Sequence, residues 1–149
     1  MEQQGEPGCV FCEIVAGRRP ASVVHQNERC WAFMDIRPVN PGHVLVIPVH
    51  HAAGLSELDP EDGAELFRMA QKVAQALRSS GVRCEGVNLH LADGRAAGQE
   101  VFHVHLHVVP RFRGDGFGLR FGPDYGRMPP RAELDALAAQ LKAHLQAHR

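Results

Sequence analysis

A chain of 149 residues with 44% hydrophobic and 22% charged residues can build one real core, and this balance excludes wholesale disorder. A formal net charge of −1 excludes the basic field of a general nucleic-acid or anionic-membrane binder, so phosphate would have to be met by a local site. No apolar run approaches the roughly 20 residues that span a bilayer, and the polar, acidic first eight residues do not read as a secretory signal; a cytoplasmic protein is the expectation.

Residues 1–8 read as a flexible leader and 9–149 as a single domain with a C-terminal loop and helix, without internal repeats. Val10, Phe11, Ile14 and Val15 predict a short helix over 9–16 that ends near Gly17. Strands are expected over 22–26 and 30–36, with Asn27-Glu28-Arg29 turning between them, and over 43–49 after the turn signal Asn40-Pro41-Gly42. Asp59 as cap, Pro60 at the first position and Glu61 and Asp62 in the first turn start a helix over 60–79. Its apolar stripe is Leu66, Phe67, Ala70, Val73, Ala74 and Leu77, and Gly81 closes it. A strand over 86–92, a small-residue loop over 93–98 and a strand over 101–110 follow. The stretch 113–130 is expected to be an ordered loop, and Leu134, Leu137, Ala138, Leu141 and Leu145 predict a second helix over 131–147. Grouped strands with one inserted helix and one terminal helix imply an α+β fold on an antiparallel sheet of about five strands. The long central helix should cover one face of that sheet.

His103, His105 and His107 occupy alternate positions of the apolar run Phe102-His103-Val104-His105-Leu106-His107-Val108-Val109. On a strand all three rings would leave one face while Val104, Leu106 and Val108 enter a core. Same-face neighbours lie about 6.5–7 Å apart and zinc–nitrogen bonds are only about 2.0–2.1 Å, so three rings on a straight strand converge poorly on one ion. Separate jobs for the three rings are the more economical reading, and on spacing alone exposed histidines on an open face remain an alternative. The loop before them, Asp93 to Glu100, could offer free backbone N–H groups to an anion, although a plain hairpin connection would use the same residues.

Cysteines stand at 9, 12, 30 and 84. A disulfide framework is not expected of cytosolic thiols, and Cys30 and Cys84 read as small core residues. Cys9-Val10-Phe11-Cys12 has the spacing of a zinc-binding pair and needs two further ligands.

The string Gly98-Gln99-Glu100-Val101-Phe102-His103-Val104-His105-Leu106-His107-Val108-Val109 resembles the signature of the histidine triad (HIT) family. Phe33-Met34-Asp35-Ile36-Arg37-Pro38-Val39-Asn40-Pro41-Gly42-His43-Val44-Leu45-Val46-Ile47-Pro48 resembles the same family's other hallmark, and the likeness covers roughly residues 9–112. The resemblance implies a nucleotide hydrolase acting at the α-phosphate of a phosphoanhydride, such as a dinucleoside polyphosphate, or of a phosphoramidate. His105 would be the nucleophile that forms a nucleotidyl-histidine, with His107, His43 and Gln99 serving phosphate or leaving group. Asp35 would hold the ribose hydroxyls. Phe11, Ile14, Phe33 and Ile36 would line the base slot, and Glu100 and Val101 would complete the nucleotide site.

The resemblance also implies a structural zinc on Cys9, Cys12, His51 and His103, with His50 competing for the third place. It implies a purine nucleotide substrate carrying AMP or GMP, and a homodimer. Histidine at 107 favours the hydrolase branches over the transferase branch. Two positions depart from the family pattern: Ala92 where asparagine is common, and Glu100 where Ser or Thr often follows the glutamine. The Ala92 departure keeps open a nucleotide-binding regulatory or scaffold protein with vestigial catalysis. A hydrolase that uses zinc directly on the triad is a third class, disfavoured by the strand geometry.

Overall fold

The computed structural model describes residues 5–147. The elements run α1 (Val10–Val15), β1 (Val23–Gln26), β2 (Cys30–Met34), β3 (Val44–Pro48), α2 (Pro60–Ser79), β4 (Gly86–His90), β5 (Leu106–Arg111) and α3 (Arg131–Ala147), with short 3-10 turns at Leu55–Glu57 and Arg95–Ala97. The five strands form one sheet of order β1-β2-β3-β5-β4, each neighbouring pair antiparallel. The chain divides into two compact units, Met1–Gly116 and Phe117–Arg149.

In the first unit the sheet is covered on both faces. Strand alternation sends Val44 and Val46 of β3 and Val108 of β5 toward α2, where they pack with Leu66, Met69, Ala70, Val73 and Leu77. The other side of β3, Leu45 and Ile47, packs with Phe33, Phe11 and Ile14 under α1. α2 starts as expected: Asp59 accepts a hydrogen bond from the Glu61 amide over 2.8 Å, and Pro60 opens the helix. Its buried face differs from the expected stripe. Met69 is buried while Phe67 is 55% exposed, because the helix is rotated so that Leu66, Met69, Ala70, Val73 and Leu77 face the sheet. Cys30 is fully buried, and all four cysteines are free thiols.

The histidine segment is corrected by the structure: β5 begins at Leu106, and residues 101–105 are not in the ladder. Register pairs Val44 with Val108, Leu45 with His107 and Val46 with Leu106. Continuing it would bring 104 opposite Pro48, which has no N–H to give. Instead the Val104 amide donates to the Ala52 carbonyl over 2.8 Å, pulling this segment onto the chain that follows β3. The expected side survives. Phe11 of α1 meets the rings of both His103 and His105, and His105 meets His107, while Val104 joins the core beneath α2.

In the second unit, residues 117–130 form no regular element, and α3 follows with no buried residue. Phe121 and Tyr125 stack at 3.8 Å, and Arg127 lies 3.7 Å from Glu133.

Candidate active site and metal centre

A cavity of about 680 Å³ opens between the end of α1, the β2–β3 connection and the histidine segment, and it is of nucleotide size. Phe11, Ile14, Phe33, Leu45 and Val101 give it apolar walls, with Ile36, Asp35, Arg37 and Glu100 at the edge and His105 and His107 among its lining residues. Phe11 and Phe33 meet edge to face at 5.6 Å and are also core, so the wall is rigid. Ile36 is 93% exposed and belongs to the rim alone. Glu100 lies 3.9 Å from Arg37 there, both well exposed. The described residues thus bring Phe11, Ile14, Phe33, Asp35, Ile36, Glu100 and Val101 to one cavity.

Backbone contacts decide which nitrogen of each ring carries the proton. His105 Nδ1 lies 2.7 Å from the His103 carbonyl, and a carbonyl only accepts, so Nδ1 carries a hydrogen and Nε2 is the nitrogen left for another partner. The Val39 amide donates to His43 Nδ1 over 3.0 Å, which places the His43 proton on Nε2. His43 Nε2 in turn donates to His107 Nδ1 over 2.9 Å, leaving His107 with an Nε2–H. Gly42, at φ +100° against Val82, Leu77 and Pro110, makes the turn that aims His43 inward; a side chain there would be strained and crowded. Asp35 Oδ2 lies 3.5 Å from His43 Nε2, and its Oδ1 accepts from the Arg37 amide over 2.8 Å. Asp35, His43 and His107 therefore converge, with His43 hydrogen-bonded to His107 and the Asp35 carboxylate 3.5 Å from the same His43 nitrogen. Burial pushes the His107 pKa down to about 3 and lowers that of His43, so both rings are neutral near pH 7.

Gln99 is not in the cavity. Its Oε1 accepts from the Gly94 amide over 2.8 Å, and its Nε2 donates to the carbonyls of Ala53 and Val101 at 2.7 and 3.1 Å. Every polar atom of this buried side chain is thereby engaged in tying the loop to the chain after β3. The expected anion cradle also fails in part, because the amides of Gly94, Ala97, Gly98 and Gln99 are all spent inside the loop. Only Gln99 of this loop is buried, so its side-chain amide is the group that must find partners inside the protein.

The second cluster lies beside the first. His103, fully buried, donates from Nε2 to the Pro48 carbonyl over 2.8 Å, so its Nδ1 presents a lone pair. That atom lies 3.1 Å from His51 Nδ1, 3.3 Å from Cys9 Sγ and 3.5 Å from Cys12 Sγ, and Cys12 Sγ is 3.4 Å from His51 Nδ1. A tetrahedron of metal–nitrogen and metal–sulfur bonds of about 2.0 and 2.3 Å has edges of about 3.3–3.8 Å. Four soft and borderline donors at this spacing can hold a metal ion, and the carbonyl behind His103 is the partner a metal-bound imidazole requires. Cys9 caps α1, accepting from the Cys12 amide, which sets the two sulfurs on one side of the helix start. Burial pushes the Cys12 thiol up to about 11 and the His103 imidazole down to about 4; a cation would supply the charge that turns the thiol into a thiolate. Of the two candidate third ligands it is His51 that enters the cluster, while His50 lines only the neighbouring polar cavity that it shares with His51, Arg29 and Asp62.

One residue near the triad escaped the sequence reading. His90 of β4 is paired directly with His107, and the two rings stack at 4.2 Å and 9°. Only strand register reveals it, since 17 residues separate the two in sequence.

The family model of the HIT domain matches residues 16–114. The chain is 40% identical over 114 residues to an uncharacterised HIT-like protein of Methanocaldococcus jannaschii, covering 76% of this chain and 87% of that one. It is 35% identical over 139 residues to the adenosine 5′-monophosphoramidase of Schizosaccharomyces pombe, covering 93% and 98%. A zinc-bound histidine triad family protein from Mycobacterium smegmatis superposes with a TM-score of 0.72 at 41% identity, over 95% of this chain and 98% of the other. Matched by the family model over residues 16–114, and in fold along most of its length, the chain belongs to the histidine triad family.

Proposed function

We propose that this protein is a nucleotide hydrolase that cleaves at the α-phosphate of an AMP- or GMP-containing phosphoanhydride or phosphoramidate. The observation that carries the reading is the way His105 is held: Nδ1 is tied to the His103 carbonyl, and the ring lines a nucleotide-sized cavity with Nε2 as the nitrogen left for the substrate. His105 Nε2 attacks phosphorus, the new N–P bond forms as the bond to the leaving group breaks, and the ring becomes a cationic nucleotidyl-imidazolium. The His103 carbonyl opposite Nδ1–H stabilises that charge. The His107 Nε2–H donates to phosphate oxygen, and water then hydrolyses the adduct to release the nucleotide. Asp35 accepts from the ribose hydroxyls, and the apolar slot of Phe11, Ile14, Phe33 and Ile36 takes the base, with Glu100 and Val101 beside the sugar. Gln99 contributes by holding the loop. The phosphoramidase activity of the S. pombe relative supports the reaction class.

Zinc is the ion that two thiolates and two imidazoles suit best, and Cys9, Cys12, His51 and His103 are its proposed ligands. With four protein donors such a site is closed and structural, and it secures α1 to the histidine segment. Free thiols fit a cytoplasmic setting. No helix among the described residues is long and apolar enough to cross a membrane. β4 is an edge strand with Leu89 37% exposed, and Phe67 is exposed on α2; these surfaces support a homodimer, which light scattering after gel filtration would test.

A regulatory protein that binds nucleotide without cleaving it is a second reading, favoured by the withdrawal of Gln99 from the cavity and by Ala92. One experiment separates the two. Wild-type protein mixed with adenosine 5′-phosphoramidate should show nucleotidylated His105 by mass spectrometry, and His105→Ala should lose at least a thousandfold in turnover while still binding AMP. Turnover that survives in His105→Ala removes the hydrolase mechanism, and binding without any turnover by the wild type selects the regulatory reading.

A further inference from the structure

His90 stands outside the triad, and its position is set by the register of β4 on β5, where it is the direct cross-strand partner of His107. Directly opposed residues leave the sheet on the same face, here the face that carries the site. The ring of His107 is held at its edge by His43, which donates to Nδ1 over 2.9 Å, and on its flat side by His90 at 4.2 Å and 9° from parallel. His105 approaches from a third direction, with ring centroids 5.1 Å apart and planes at 64°. A single hydrogen bond at Nδ1 fixes one point of an imidazole and leaves the plane free to tilt about the bond. A parallel neighbour removes that tilt, so the two restraints together fix where Nε2–H points.

We propose that His90 is a positioning residue for the phosphate-transfer step: its ring clamps the plane of His107 so that the Nε2–H of His107 stays aimed beside His105. The inference rests on the nucleotidyl-transfer reading above. What the clamp needs is a flat aromatic face, since donors misplaced by small tilts lose much of their effect on a transition state. Partial loss of water around the ring, on a residue otherwise exposed, lowers the His90 pKa, so near pH 7 the clamp is a neutral ring and places no charge on His107. An imidazole suits this place because His90 is exposed on an edge strand, where a ring with polar atoms keeps its own contact with water.

The test compares wild type, His90→Ala and His90→Phe in two measurements: steady-state kinetics with adenosine 5′-phosphoramidate, and nitrogen-15 NMR of the His107 ring in free protein. Aromatic pairs contribute about 0.5–1.5 kcal/mol beyond burial, so His90→Ala should lower kcat roughly two- to twelvefold with KM changed less than twofold. His90→Phe should restore at least half of the wild-type kcat. In the NMR arm, the His107 nitrogens of His90→Ala should shift toward a tautomer average, while those of His90→Phe should keep wild-type positions. A kcat within twofold of wild type in His90→Ala, a loss carried by KM, or no rescue by phenylalanine overturns the proposal. The NMR arm needs no substrate. Unchanged His107 signals in His90→Ala overturn the clamp whatever the chemistry, whereas absence of a His105 adduct in the wild type overturns the reaction reading instead.

Discussion

His105 Nδ1 donates to the backbone carbonyl of His103 over 2.7 Å, and the side chain of that same His103 sits in the Cys/His cluster. One residue therefore serves both clusters, through its ring on one side and its main chain on the other. The proposed nucleophile is aimed by the backbone of a proposed metal ligand, so occupancy of the metal centre and orientation of His105 are mechanically linked.

Removing the metal should therefore act twice. Saturation at 100-fold over Kd contributes about 2.7 kcal/mol, which in a chain of this size corresponds to a drop in Tm of about 5–10 °C on chelation or in Cys12→Ser. The same treatment should lower kcat, because the His103 carbonyl loses its anchor. Calorimetry and elemental analysis on one sample check this, and an unchanged Tm with no metal in the purified protein would rule it out.

Asp35→Asn keeps the acceptor that the Arg37 amide uses but removes the charge. A hydrogen bond to a charged group contributes about 1.5–3 kcal/mol, so KM for a ribonucleotide substrate should rise at least about tenfold. For the 2′,3′-dideoxy analogue it should change less than twofold. Equal effects on both substrates would remove Asp35 from the ribose.

Ile36 is 93% exposed, so Ile36→Ala should leave folding stability within about 0.5 kcal/mol. If it covers the base, losing about half of an isoleucine's burial should raise KM roughly fivefold. Urea unfolding and initial rates on the same variant test both halves, and an unchanged KM would take Ile36 out of the slot.

Stability should fall in acid. Burial holds His107 at about 3 against an ordinary 6.5, and His43 and His90 are lowered in the same direction. Between those values the unfolded chain binds more protons than the native one. The contribution is thus fully present above about pH 6.5 and is lost as the pH falls toward 3, at roughly 1 kcal/mol per pH unit for a partly wet ring. Urea midpoints should drop between pH 7.5 and 5, and His107→Gln should narrow the difference; an equal drop in that variant would refute the assignment.

By itself the sequence determined the elements whose signals are local. Asp59 and Pro60 start α2 and Gly81 follows its end, so α2 was legible to the residue, and the pairing of Cys9 with Cys12 needed only spacing. The alternation of His103, His105 and His107 correctly placed the three rings on one side. What only the tertiary structure decided depends on contacts between distant segments. Pro48 ends the ladder and Ala52 captures the Val104 amide, so the segment of His103 and His105 leaves the strand. The loop spends its own amides and the Gln99 amide internally. Register sets His90 on His107, and the carbonyls of Pro48 and His103 choose the tautomers. Periodicity reports which face a residue takes, but a proton's place on an imidazole is chosen by whichever backbone group folding brings within hydrogen-bond reach.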